Sequence, residues 1–170
     1  MKQIVFLALM IMPLLSFAGP SDVLLSLLKT PPSERIQLSS EKLNALETLK
    51  KLGIINSEPD IVADYNHIYM ANKQLPILGG VLLALDDEYF DSYVGCCVNP
   101  GIALVIHVGK KNADALTLME FAKENACSVT PFEQAIMANE LEESLLDTSN
   151  KEDIVVLSCK LHDEANTQIE

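Results

Sequence analysis

Tryptophan is missing from this chain of 170 residues, which holds only four tyrosines and five phenylalanines, two of the latter (Phe6 and Phe17) within the first eighteen residues. A carbohydrate surface built on stacked aromatic platforms is therefore not expected. Basic residues are scarce too: 12 Lys and Arg stand against 24 Asp and Glu, a net charge of −12. That balance speaks against nucleic acid or anionic lipid as a partner, because both are bound through basic patches that displace counterions. There is no Gly-x-Ser-x-Gly elbow, no phosphate-binding glycine loop and no dinucleotide fingerprint, so no cofactor is implied. Cys-x-x-Cys is absent as well, which leaves neither a zinc site nor a thioredoxin-like redox centre with its usual spacing. The lack of any Asn-x-Ser/Thr acceptor fits a bacterial periplasmic product better than a eukaryotic secreted one.

The first eighteen residues, "MKQIVFLALMIMPLLSFA", carry Lys2 as their only charge, then an apolar run, then small residues at Ser16 and Ala18. This is the pattern of a cleaved secretory signal ending before Gly19. The stretch from Ile4 to Phe17 falls short of the roughly 20 residues that span a bilayer. No later apolar run is long enough to cross a membrane, and no cysteine near the cleavage point offers a lipid anchor. The expected location is periplasmic or secreted, with 19–170 forming a single domain of about 150 residues that can build a real core. Cleavage removes Lys2 alone, leaving 11 basic residues against 24 acids, a charge of −13 on the mature chain.

Four segments carry helical periodicity. In "SDVLLSLLK", Ser21 is the expected N-cap, and Val23, Leu24, Leu27 and Leu28 share a face until Pro31-Pro32. A second helix starts at Ser39 or Ser40, with Leu43, Leu46, Leu49 and Leu52 (and Ala45) as its apolar face, Glu47 and Lys51 as an i,i+4 pair, and Gly53 as C-cap. "NADALTLMEFAKENA" is capped by Asn112. "TPFEQAIMANELEESLL" presents Thr130, Pro131 and Glu133 as a capping box.

Between and after them the period changes to that of strands. Extended segments are expected from His67 to Tyr89, with "VLLAL" the most buried, and around the turns Asn72-Lys73 and Gly79-Gly80. "YFDSYVGCCV" and "IALVIHV" read as the arms of a hairpin joined by Asn99-Pro100-Gly101. "DIVVLSCKL" supplies a last strand, Ile154 to Leu161. The expected fold is α+β: an antiparallel or mixed sheet of about four to five strands packed with helices and stapled by two disulfides.

All four cysteines follow the signal. On a strand, Cys96 and Cys97 face opposite ways, so they do not share a partner, and a bond between them would require a strained eight-membered ring. They are expected to bridge to Cys127 and Cys159. Both cross-pairings are open; the reading leans to Cys97 with Cys127 and Cys96 with Cys159. Cys159 shares the apolar phase of Val155, Leu157 and Leu161 and faces the core.

Candidate chemistry is thin. Cys96, His107 and Asp91 can be drawn as a hydrolase set, but the thiol would lie mid-strand and not at an electropositive helix start. His67, His107 and His162 do not form a metal pattern with the cysteines. Asp86-Asp87-Glu88 and Asp91 lack the ligand spacing of a calcium loop and read as a solvated strand connection. With Glu140, Glu142 and Glu143 in the acidic helix, they form the expected footprint for a basic protein partner. The class this suggests is a small exported, disulfide-stapled protein-binding protein, most readily an inhibitor or immunity protein that neutralises a basic secreted enzyme such as a cell-wall hydrolase. A periplasmic enzyme using Cys or His, or an accessory envelope protein, is the alternative.

Overall fold

The computed structural model describes residues 19–35, 40–63, 65–88, 98–108, 112–135 and 151–163. Three helices lie among them: α1 (Pro20–Leu28), α2 (Ser40–Lys51) and α3 (Asn112–Glu124). They pack against one sheet of seven strands, more than the sequence suggested: β1 (Ile61–Ala63), β2 (Asn66–Met70), β3 (Pro76–Ile77), β4 (Gly80–Glu88), β5 (Gly101–Val108), β6 (Ser128–Pro131) and β7 (Ile154–Lys160). The fold is α+β, and every pairing is antiparallel, in the order β1-β2-β4-β5-β7-β6 with β3 beside the start of β4.

Local chemistry accounts for the helix ends. α1 starts one residue before its expected cap: Gly19 is the N-cap, and its N–H donates to Asp22 at 2.9 Å. α2 closes on Gly53, whose φ of 64° only glycine adopts without strain. There Ile54 N–H reaches Leu49 O and Gly53 N–H reaches Lys50 O, both at 2.9 Å, the paired bonds of a Schellman ending. α3 ends in the same way, with Ala126 at φ 50° and Cys127 N–H on Ala122 O at 2.9 Å.

The buried stripe of α2 is rotated from the one the leucines suggest. Ala45, Leu46 and Leu49 are buried, but Leu43 and Leu52 are nearly half exposed, at 48% and 46%. Lys42 takes the inward place instead, because a carboxylate waits for it on the sheet. The helix-side core joins Leu24, Leu28, Leu49, Leu118 and Phe121 to Leu82, Leu85, Leu104, Ile106 and Leu157. A second cluster on the opposite sheet face contains Ile68, Ala84, Ala103, Val105, Ile154 and Val156, with Phe132 packed on it. An irregularity in the β4–β5 register between Leu82 and Ala84 places Leu83 on this second face.

Two expected elements are replaced. The partner of β5 is β4, with Glu88 opposite Gly101, and β7 covers the other edge of β5. Both edges of β5 being filled, it has no place for residues 93–98 as a hairpin arm, and Gly101 is a strand residue, not a turn residue. Residues 89–97 themselves lie outside the described part. Thr130 does not cap a helix: it pairs with Val156 in β6, followed by one 3-10 turn at Phe132–Gln134. Ladder bonds along β7 outweigh the local capping signal there; the remainder of that expected helix, 136–146, lies outside the described residues.

Candidate functional site

Three successive acids end β4, and strand alternation sends them to opposite faces. Asp86, Asp87 and Glu88 are all buried, Asp86 completely. The expectation of a solvated connection is therefore corrected: these residues belong to a central strand, and a buried carboxylate requires a partner. A lysine from a helix and a lysine from another strand of the same sheet provide it.

On the helix side, Asp87 pairs with Lys42 of α2, and the same ammonium lies 3.4 Å from Glu88 O. On the other side, Lys160 at the end of β7 donates to Asp86 at 2.6 Å and to Glu88 at 2.8 Å. Asn66 of β2 adds bonds to both oxygens of Asp86, at 3.0 and 3.1 Å. Glu88 accepts the Asn99 N–H at 2.6 Å, and the Asn99 side chain joins Asp163 and the His162 N–H, at 3.3 and 2.7 Å. This network ties β2, β4, the start of β5 and the residues after β7 into one polar unit.

Two acids share one lysine here, and the proton equilibria follow from that. Burial holds the Asp86 carboxyl above the ordinary aspartate range; Lys160 and Asn66 pull it back, and Glu88 adds to the rise. Burial drags the Lys160 ammonium down, but the attraction and hydrogen bonds of Asp86 and Glu88 outweigh it and leave the group above the usual lysine value.

Beside Asp87 a groove opens between α2 and β2, about 680 Å³ in volume, with walls that include Leu43, Glu47, Lys50, His67 and Tyr69. His67 is the cross-strand partner of Asp87. Tyr69 meets the edge of His67 at 6.5 Å between centroids, and the Lys50 ammonium stands 5.1 Å from the Tyr69 centroid and 3.9 Å from Glu47. The size falls in the range of ligand clefts. Its walls mix donors, carboxylates and apolar surface, which suits a polar ligand or a protruding side chain of a partner.

Cys127 and Cys159 are bonded to each other, with Cα atoms 4.4 Å apart. This overturns both expected cross-pairings, since neither sulfur is left for Cys96 or Cys97. The physical reason is register: β6 pairs with β7, so the residue entering β6 comes alongside the end of β7. Cys159 does face the helix-side core, as its phase predicts. Of the expected partner-contact residues, Asp86, Asp87 and Glu88 are brought together in the buried network. Asp91, Glu140, Glu142 and Glu143 lie outside the described residues, as do Cys96 and Cys97. His107 sits near the end of β5 opposite Val81 and Ile154, and His162 follows β7. Among the described residues no three His, Cys, Asp or Glu side chains converge as a metal set.

Lys42, Lys160 and Arg35 were not singled out from the sequence, although a signal for two of them exists. Lys42 stands one turn before Ala45 and Leu46 on the buried stripe, and Lys160 closes an otherwise apolar strand. Three acids ending another apolar strand call for cations of this kind. Arg35 had no comparable signal. It is buried after a 3-10 turn, and its guanidinium donates to the main-chain carbonyls of Thr30, Asn125, Ala126 and Lys160.

No protein-family model matches this chain, and no curated protein or solved structure does so either.

Proposed function

We propose that this chain is a small exported protein-binding protein, an inhibitor or immunity protein that neutralises a basic secreted enzyme such as a cell-wall hydrolase. The observation that carries the reading is where its charge resides. Lys42 and Lys160 pair with Asp86, Asp87 and Glu88, and Arg35 is buried among main-chain carbonyls, so three cations and three anions lie at buried or nearly buried positions. These six cancel, so the chain's charge of −12 belongs to its other residues. A field of that sign steers a basic partner towards the surface and turns away nucleic acid. The Cys127–Cys159 bond is in keeping with an oxidising compartment. It also takes two of the four thiols from the alternative of a cysteine enzyme.

The test is direct. The chain lacking residues 1–18 is titrated against a panel of basic cell-wall hydrolases, with binding read by calorimetry and lysis by turbidity, at about 20 and 300 mM salt, a range over which screening becomes strong. At least one hydrolase is expected to bind and lose activity, with affinity falling as salt rises. Failure to bind or inhibit any member at low salt overturns the reading.

A further inference from the structure

The groove beside Asp87 already holds a cation of the chain's own. Its helix wall is the face of α2 that carries Leu43, Glu47 and Lys50, spaced so that the three side chains stand in line along the axis. Its floor follows the row that runs from Asp87 through His67 to Val62, cross-strand neighbours on the helix side of the sheet. α2 covers one end of this row and not the other: Asp87 is 5% exposed, whereas Val62, on the outermost strand, is 62% exposed. The groove therefore opens towards β1.

Lys50 lies across it. Its ammonium stands over the Tyr69 ring, 5.1 Å from the centroid, and 3.9 Å from Glu47. A ring face beside a carboxylate is a receptor for a cation. The Lys50–Glu47 contact is long and joins side chains that are 21% and 56% exposed, a kind of pair that holds weakly. Lys50 can thus leave at little cost, and while it stays the Tyr69 ring is only 4% exposed. The wall charges balance only with Lys50 in place. Lys42 neutralises Asp87, which leaves Glu47 and Glu58 against Lys50 and Lys51. Once the Lys50 ammonium swings into solvent, the space between Tyr69 and Glu47 keeps a carboxylate and a ring face without a cation. The groove volume of about 680 Å³ accepts a guest much larger than an ammonium.

We propose that this space is the subsite for an arginine side chain of the basic partner, with Lys50 as the placeholder that the arginine displaces; the assignment rests on the protein-binding reading above. A guanidinium outcompetes an ammonium here because it is planar, stacks on an aromatic face and donates two N–H groups at once to a carboxylate, in this case Glu47. The apolar stem of the guest lies against Leu43, which α2 leaves 48% exposed on the groove wall.

The experiment takes the same protein as the hydrolase titration and adds Nα-acetyl-arginine methylamide as the probe, at pH 7 and about 20 mM salt, where screening is weak. Binding is followed by NMR of the Tyr69 and His67 rings. Saturable shifts at both rings are expected, and none with the citrulline analogue, which has nearly the same shape and no charge. Lys50→Ala removes the placeholder and should tighten the probe about two- to fivefold, the worth of one exposed cation–π contact. Lys29→Ala makes the same change of charge on α1, outside the groove, and should alter the affinity by less than about twofold. Glu47→Gln should weaken the probe severalfold, because paired hydrogen bonds to the carboxylate are lost. Lys50 and Glu47 stand at solvent-facing helix positions, where Ala and Gln are good helix formers, so both variants should fold. Equal binding of the citrulline analogue, shifts at neither ring, or a Lys50→Ala affinity no higher than the parent's overturns the proposal. The probe needs no hydrolase, so its failure strikes the groove assignment and leaves the protein-binding reading standing. A hydrolase panel without a hit strikes that reading and the partner's part in this proposal, while the arginine subsite stands.

Discussion

Lys160 on β7 donates to Asp86 on β4 at 2.6 Å across the full width of β5. The register explains the reach. Gly101 of β5 stands opposite Lys160 on one side and Glu88 on the other, so the lysine stem crosses the one position in that row without a side chain. The ammonium then meets both buried acids of that face.

Replacing Lys160 with Met should therefore leave Asp86 and Glu88 uncompensated in the interior. Removing one partner of a buried ion pair costs about 3–5 kcal/mol. Chemical denaturation of Lys160→Met at pH 7 is expected to show a loss of that order, and Lys160→Met combined with Asp86→Asn should recover part of it. A loss under about 1 kcal/mol, the value of an exposed pair, would contradict the burial of the network.

The pH dependence follows from the same cluster. Lys160 has its folded-state pKa above the unfolded one, so its contribution is complete below the ordinary lysine value of about 10.4 and is lost as pH rises through the folded value. Stability measured from pH 8 to 12 should fall in that upper range, and Lys160→Met should not show this component. Asp86 is also raised, so its folded state binds a proton more tightly than its unfolded state. Its contribution is present below about pH 3.9 and disappears as pH rises through the folded value, opposite in sign to an ordinary salt-bridged aspartate. Carbon-13 NMR should find the Asp86 carboxyl titrating above the exposed aspartates, and higher again in Lys160→Met.

Gly101→Ala tests the passage of the lysine. Gly101 has φ 149°, and a β-carbon there would stand 2.6 Å from Lys160 Cα and 2.7 Å from Cys159 O, both backbone atoms that have little room to yield. Backbone strain of this kind alone costs about 1–3 kcal/mol, and the clash adds to it. Thermal denaturation should show a clear fall in Tm, with the Lys160–Asp86 bond disturbed as well. A neutral substitution would mean that β5 and β7 are not in the register described.

Peptide mapping without reduction checks the disulfide. A Cys127 peptide linked to Cys159 is expected, with neither joined to Cys96 or Cys97. The bond closes a loop of 32 residues, so Cys127→Ala with Cys159→Ala should cost about 3–4 kcal/mol in the chain-entropy account. Recovery of Cys97 linked to Cys127 would restore the pairing that the sequence alone favoured.

Much of the fold was legible because it rests on short-range signals. α1, α3 and the closing glycine of α2 follow from apolar spacing and cap chemistry, and β2, β4 and β7 from apolar runs. The candidate site was less legible, because each of its groups looks ordinary until it has a neighbour. Asp86-Asp87-Glu88 reads as solvated by composition, and only the sheet shows Lys42 and Lys160 arriving from α2 and β7. Arg35 carries no local signal at all; its four carbonyl partners come from sites 5 to 125 residues away.

By itself, then, the sequence determined the acidic balance, the alternation that sends consecutive residues to opposite strand faces, and an α+β order of elements. Those properties depend on composition and on periods of two and 3.6 residues, which a chain carries before it folds. Tertiary structure alone decided which strand lies beside which. Through that choice it joined Cys127 to Cys159 and gave β5 the partner β4 in place of a local hairpin arm. It also turned three acids that would be hydrated in an open chain into buried, paired charges. Pairing across a sheet is set by the total burial of all its strands and the satisfaction of all their charges together, and no window of adjacent residues contains that sum.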